Sequence, residues 1–181
     1  LNEKGFVIAD SQLKTSDSNI SAIGDVIGGA MLAHKAAHEA KVAVEVFDGE
    51  NADFNNRVIP AVVFTDPEIA WAGLTETEAQ AQGKEIAIAK FPWGASGRAQ
   101  TLGRGEGLTK LIIDPESEKI VGVGLTGAGA GELIAEGVLA IETGTKAKDM
   151  ALSIHPHPTL SETLMEAADV FYGTPTHIYK R

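Results

Sequence analysis

From about residue 60 onward, apolar and polar positions alternate in short runs. Ala61 to Phe64 and Ile69 to Ala72 read as strands on either side of the turn Thr65-Asp66-Pro67-Glu68, and Glu85 to Phe91 alternates through Ile86 and Ile88. Leu108 to Ile113 and Lys119 to Leu125 pair as a hairpin around Asp114-Pro115-Glu116-Ser117, a turn built from residues that satisfy their own backbone. Helical spacing breaks in three times. Thr75 to Gln82 opens on a capping box, Thr75 with Glu78, and stops at Gly83. Gly131 to Thr143 places Leu133, Ile134, Gly137, Val138 and Ile141 on one face. After Thr159, the residues Leu160, Leu164, Ala167, Ala168 and Phe171 form one apolar stripe, with Glu162, Glu166 and Asp169 opposite. Glu162 is therefore free of the core and able to face the preceding turn. The pattern predicts an α+β domain over 56–181, an antiparallel sheet flanked by helices.

The first fifty residues differ. Ile20 to Ile23 reads as a short apolar strand, followed by Gly24-Asp25, then Val26-Ile27-Gly28-Gly29 and a helix from about Met31 to Asp48 that stops at Gly49. A polar stretch, Asn51 to Pro60, reads as a linker. Residues 1–55 thus have the pattern of the tail of an α/β unit. The chain begins at Leu1 without a Met, in what reads as the middle of a strand and turn (Gly5 to Ala9), so a fragment lacking an amino-terminal portion is expected. An Asp beyond a strand, beside glycines and a helix start, is where open α/β sheets hold nucleotide-like ligands. It is equally a residue that caps a turn, and spacing alone leaves Asp25 between the two.

Charge narrows the partners. Fifteen basic against 25 acidic residues give −10, which disfavours nucleic acid and anionic membranes and is compatible with a basic protein partner. Glu132, Glu136 and Glu142 interrupt the longest apolar candidate, so no segment reads as a membrane span, and no signal peptide is recognised. The chain has no cysteine, which excludes disulfides and thiolate metal sites within it.

The richest segment is His155-Pro156-His157-Pro158-Thr159-Leu160-Ser161-Glu162. An imidazole before a helix start, with a carboxylate a few residues on, suits a general base whose ring a carboxylate orients. Thr159 to Glu162 also fits a second capping box, in which Glu162 serves only the helix end. The sequence pattern permits both.

Three separated stretches together resemble the carboxyl-terminal part of the dihydrolipoamide dehydrogenases, a family of flavin-dependent pyridine-nucleotide disulfide oxidoreductases. They are Thr15 through Asp25 followed by Gly29 to Ala36; Ile59-Pro60 through Glu76 with Phe91-Pro92-Trp93 and Ser96 to Ala99; and the His-Pro-His-Pro-Thr-Leu-Ser-Glu segment. The likeness spans essentially the whole chain. It implies that 1–55 is the last piece of an FAD-binding domain and 56–181 an interface (dimerisation) domain.

That resemblance implies roles. Asp25, after Gly24, would hydrogen-bond the ribityl chain of FAD, and backbone near Met31, Leu32 and Ala33 would face the flavin's pyrimidine edge. His157 would take a thiol proton from dihydrolipoamide, carried on a lipoyl domain, with Glu162 orienting it; His155 has no such role. Electrons would pass through FAD to NAD. The redox cysteine pair and the NAD-binding region lie outside this chain, so the chain alone is expected to be inactive. Catalysis would need a homodimer, in which the His of one subunit serves the other. The resemblance further implies a place in a complex such as pyruvate dehydrogenase, a basic subunit-binding domain of an acyltransferase core as a possible partner, and a cytoplasmic or mitochondrial-matrix location. No metal site is expected. A glutathione-reductase-like enzyme and a non-catalytic dimerisation or docking module are the alternatives. The resemblance also leads us to expect a cis bond at His157-Pro158.

Overall fold

The structure is a computed structural model and describes residues 1–179. Contacts gather the chain into two units, Leu1–Ile59 and Pro60–Arg181.

In the second unit, five strands form one antiparallel sheet: β1 (Ala61–Val63), β2 (Glu68–Gly73), β3 (Ala87–Pro92), β4 (Leu108–Ile113) and β5 (Ile120–Gly127), in the order β1-β2-β5-β4-β3. The expected α+β architecture is what forms. Alternation decides the faces, because successive side chains point to opposite sides of a strand. Ala70, Ala72, Ala89, Phe91, Thr109, Leu111, Ile113, Val123 and Leu125 are buried. Against the sheet pack α4 (Ala130–Thr143), on β2 and β5, and α6 (Glu162–Tyr172), on β3 and β4; α5 (Ala147–Leu152) packs on α6. The other face leaves Ile69, Trp71 and Ile88 partly exposed. Both edges are protected against further pairing. β1 has only three residues, and β3 ends in Pro92, which has no N–H to offer.

Local chemistry explains the boundaries. Thr75 caps α2 (Glu76–Ala81) with a complete capping box, as its spacing predicts. The Asp114 carboxylate accepts from Glu116 and Ser117, closing the β4–β5 turn. Two helices of six residues, α3 (Gly97–Leu102) and α5, are too short to show a period and were not expected from the pattern. In α4 the buried side is Ala130, Ile134, Gly137, Ala140 and Ile141. Leu133 and Val138, placed on that face from spacing, are only half-buried.

The first unit holds α1 (Ala33–Phe47) and a 3-10 turn, Gly24–Ile27. The expected strand Ile20 to Ile23 does not form. Its only pairing is one isolated bridge between Lys14 and Ser21, and Ile20 is exposed. That bridge consists of the Thr15 N–H donating to the Ile20 carbonyl and the Ala22 N–H donating to the Leu13 carbonyl, and the Thr15 hydroxyl also donates to the Ile20 carbonyl, which closes a tight turn over 15–20. Leu13, Val42 and Ala43 make the small core of this unit.

Candidate functional site

The sheet carries the site from below. Trp93 follows β3 and is fully buried; its indole Nε1–H donates to Thr109 Oγ1 on β4 at 2.9 Å. Thr109 and Thr163 hydroxyls lie 2.7 Å apart, and the Thr163 hydroxyl donates to the Leu160 carbonyl at 2.7 Å. Indole can only donate and a carbonyl can only accept, so the proton order follows: Thr109 donates to Thr163. This polar chain ties the amino end of α6 to the sheet. Space for the indole exists because position 127 is glycine: a Cβ there would stand 2.1 Å from the Trp93 ring.

Above this chain the helix start is held by Thr159, although Ser161 is the residue bordering the helix and caps nothing with its own side chain. Glu162 Oε2 accepts from the Thr159 N–H at 2.7 Å, and the Glu162 N–H points to Thr159 Oγ1 at 3.4 Å. The other oxygen, Oε1, lies 2.9 Å from His157 Nδ1. The contacts that both readings of Glu162 require are therefore present together. One carboxylate uses one oxygen for the helix end and the other for the imidazole.

A carboxylate can only accept, so Nδ1 carries the proton and Nε2 presents its lone pair. The His157 side chain is 64% exposed while that of Glu162 is 14% exposed, so the base faces outward on a largely buried support. Burial pushes the Glu162 carboxyl up, but the hydrogen bonds from Thr159 and His157, with the charge of His157 and His177, outweigh it and hold the group below its ordinary value. The His157-Pro158 bond is cis.

His155, given no catalytic role by the resemblance, is a strut. Its side chain is nearly buried, with Nδ1 2.8 Å from the Ser153 carbonyl and Nε2 2.7 Å from Glu136 Oε1 on α4. Both partners are acceptors, so either tautomer of the ring meets one of them with an N–H.

Spacing misplaced Glu166. The helical wheel assigns it to the polar, outward face, yet it is among the most buried side chains of the domain. The segment after α6 folds back over it. Glu166 Oε1 is 2.5 Å from His177 Nδ1, and Oε2 accepts from the Thr176 N–H at 3.1 Å. A buried carboxylate is tolerated because these N–H groups meet it. His177 thereby stands beside His157, and both line a small pocket with Phe91, Ser96, Gly97 and Thr163. Pattern analysis missed this because the partner lies beyond the helix that period describes; two Glu at i and i+4 followed by a His past the glycine stop was the available signal.

In the first unit, Gly24 and Asp25 sit in the 3-10 turn, while Met31, Leu32 and Ala33 lead into α1. Gly24 has φ +71, and a Cβ there would meet Ala36 at 3.2 Å, so glycine lets the turn lie against the helix. The Gly24 N–H donates to buried Glu39 at 2.7 Å, and Glu39 pairs with buried Lys35 at 2.6 Å. Among the described residues nothing donates to the Asp25 carboxylate, which is exposed, and the N-cap Leu32 supplies no side-chain cap to α1. An unengaged carboxylate beside an uncapped helix start is a donor-and-acceptor set suited to a polyhydroxylated, electron-rich group. No helix among the described residues is long and apolar enough to cross a membrane, and no cluster of three or more ligating side chains forms a metal site there.

Solved structures share this fold. LpdA of Mycobacterium tuberculosis superposes with a TM-score of 0.85 at 26% identity, over 91% of this chain and 36% of its own. The HOCl-induced flavoprotein disulfide reductase RclA of Escherichia coli gives 0.83 at 28% identity, over 91% of this chain and 38% of its own. Fold and neighbours define the class: an antiparallel α+β domain of the kind found in disulfide reductases. Residues 59–168 match the dimerisation domain of the pyridine nucleotide-disulphide oxidoreductases, and the chain belongs to that family. A dihydrolipoyl dehydrogenase of Vibrio cholerae is 48% identical over 178 residues, 98% of this chain. The chain spans 38% of that relative's length.

Proposed function

We propose that this chain is the carboxyl-terminal part of an FAD-dependent dihydrolipoamide:NAD oxidoreductase and supplies its acid–base group and subunit interface. The observation that carries the reading is the His157–Glu162 pair, with Nδ1 held by the carboxylate and the ring lining a pocket. A thiol of ordinary pKa about 8.5 is mostly protonated at neutral pH, and an imidazole is a matched acceptor for its proton. In this reading His157 Nε2 takes the proton from one thiol of dihydrolipoamide, and the Glu162 carboxylate stabilises the imidazolium and fixes its tautomer. The resulting thiolate attacks a disulfide supplied by the other subunit, so the working unit is a homodimer.

The first unit would hold the flavin. Asp25 would accept from the ribityl hydroxyls, and the backbone N–H groups at the start of α1, near Met31, Leu32 and Ala33, would face the electron-rich edge of the ring. When bound, FAD supplies the route for the electron pair toward NAD. The Lys35–Glu39 pair would brace the Gly24 turn and so set the position of Asp25. Residues 1–55 would then be the end of the FAD domain and 56–181 the interface domain, and the isolated chain would be inactive. The charge of −10 suits a basic subunit-binding domain of an acyltransferase core as a further partner, beside the lipoyl domain that delivers substrate. A cytoplasmic or mitochondrial-matrix setting would accompany these partners.

The visible spectrum of the protein as the cell makes it tests the cofactor half of the reading. Flavin absorption that weakens in Asp25→Ala supports it. A colourless protein, or one whose flavin content is indifferent to Asp25, contradicts it.

A further inference from the structure

The pocket contains two imidazole–carboxylate pairs, of which the reading above uses one. His157 Nδ1 is held by Glu162 at 2.9 Å, and His177 Nδ1 by Glu166 at 2.5 Å. The two carboxylates lie one turn apart on α6. The two rings are parallel within 4°, with centroids 6.4 Å apart. Each imidazole has its proton fixed on Nδ1 by an acceptor-only partner, so each presents a basic Nε2. Among the described residues neither Nε2 has a hydrogen-bond partner, and both side chains are well exposed, 64% for His157 and 43% for His177. Glu166 is 1% exposed and is further held by backbone N–H groups, a degree of support that a surface histidine does not need.

We propose that His177 is a second base of the same site, which receives the second proton of a dithiol substrate. This inference rests on the dithiol oxidation proposed above. A dithiol must lose two S–H protons, whereas a monothiol must lose one. The first thiol gives its proton to His157 Nε2, and its sulfur attacks the acceptor disulfide; the acceptor S–S bond breaks and releases one acceptor thiolate. The second thiol gives its proton to His177 Nε2, and its sulfur attacks the substrate sulfur of the mixed disulfide. The substrate S–S bond forms and the second acceptor thiolate leaves. Two electrons move from substrate to the acceptor disulfide, and two protons rest on two imidazoles.

The charged groups facing the two rings are Glu162 and Glu166 of α6; Phe91, Ser96 and Gly97, from β3 and the start of α3, contribute none. Asp169, the next acidic residue of α6, lies within electrostatic reach of both Glu166 and Lys148.

The test is the pH dependence of dihydrolipoamide oxidation by the protein as the cell makes it. In the wild type the rate requires both imidazoles neutral, so the acid limb of log rate against pH rises with a slope of two. His177→Gln keeps an N–H for Glu166 and removes the base. It is expected to reduce the slope to one and the rate by about 10²-fold, the lower range for general-base loss. His157→Gln should also leave a slope of one, through the remaining His177. An acid limb that keeps its slope in His177→Gln, whether or not the rate falls, overturns the inference and leaves His177 a structural clamp. A wild type that passes electrons from NADH to an artificial acceptor but does not oxidise the dithiol overturns the functional reading, and this inference with it.

Discussion

Thr163→Val tests the physical account of how the site is mounted. The substitution keeps shape and removes one hydroxyl from a fully buried position. In the wild type that hydroxyl accepts from Thr109 and donates to the Leu160 carbonyl, both at 2.7 Å. Valine leaves the Thr109 hydroxyl without an acceptor in a dry interior. The Leu160 carbonyl keeps only the Thr163 N–H at 3.1 Å. A buried polar group left unmet costs about 1–3 kcal/mol, and the carbonyl loses one of two donors, so the expected loss is about 2–3 kcal/mol. Thr109→Val should cost a similar amount because it strands the Trp93 indole N–H. The double variant removes both hydroxyls at once, so its loss should be smaller than the sum by about 1 kcal/mol or more. Urea titrations followed by circular dichroism measure all four species at fixed m-value. A loss below about 0.5 kcal/mol for Thr163→Val, the range of ordinary surface changes, would refute the chain as drawn. Additive losses would show that the two hydroxyls do not depend on one another.

Other consequences follow from the charges around α6. The Glu162 carboxyl is held below its ordinary value, so its stabilising contribution is present above the unfolded carboxylate's pKa and fades as pH falls through the lower folded value. The stability gap between wild type and Glu162→Gln should therefore persist from pH 7 to about 5 and close only in acid, below the ordinary carboxylate pKa of about 4.3; a gap that closes near pH 6 would contradict it. Asp169 has the opposite sign: burial, with the charge of Glu166, pushes its carboxyl up, against the pull of Lys148. Its ionised form opposes folding above the folded pKa and the penalty disappears below the unfolded one, so Asp169→Asn should raise Tm at pH 7 with a gain that shrinks toward pH 3. His155→Ala leaves Glu136 and the Ser153 carbonyl without the ring between them. It should cost about 1.5–3 kcal/mol, the range for hydrogen bonds to charged groups, and a neutral result in thermal unfolding would remove His155 as a strut.

How much of this was legible in the sequence depends on range. Features set by neighbours a few residues away came through. Alternation marked all five strands, and the Thr75–Glu78 box marked the start of α2 to within a residue. The Asp114 turn fixed the β4–β5 hairpin. The His157–Glu162 pair was visible because its members lie five residues apart across a helix start. What failed depended on distant segments. Ile20 to Ile23 has strand composition but no neighbouring strand among the described residues, so its pairing stops at the Lys14–Ser21 bridge. Glu166 has the position of a solvent-facing residue on its own helix, and only the returning segment at Thr176-His177 buries it. Trp93, Thr109 and Thr163 come from three elements, so no spacing rule joins them; each looks like an ordinary strand or helix residue until the fold places the hydroxyls in sequence.

The central claim is that His157 acts as the base toward a thiol of dihydrolipoamide. Its most direct test is the steady-state rate of dihydrolipoamide-dependent NAD reduction by the protein as the cell makes it, with wild type and His157→Ala compared at pH 7 alongside NADH oxidation by an artificial electron acceptor. The account predicts a loss of about 10²–10⁴-fold in the dithiol reaction, the range for removing a general base, with the artificial-acceptor reaction largely retained. Dithiol turnover within a fewfold of wild type in His157→Ala would contradict it.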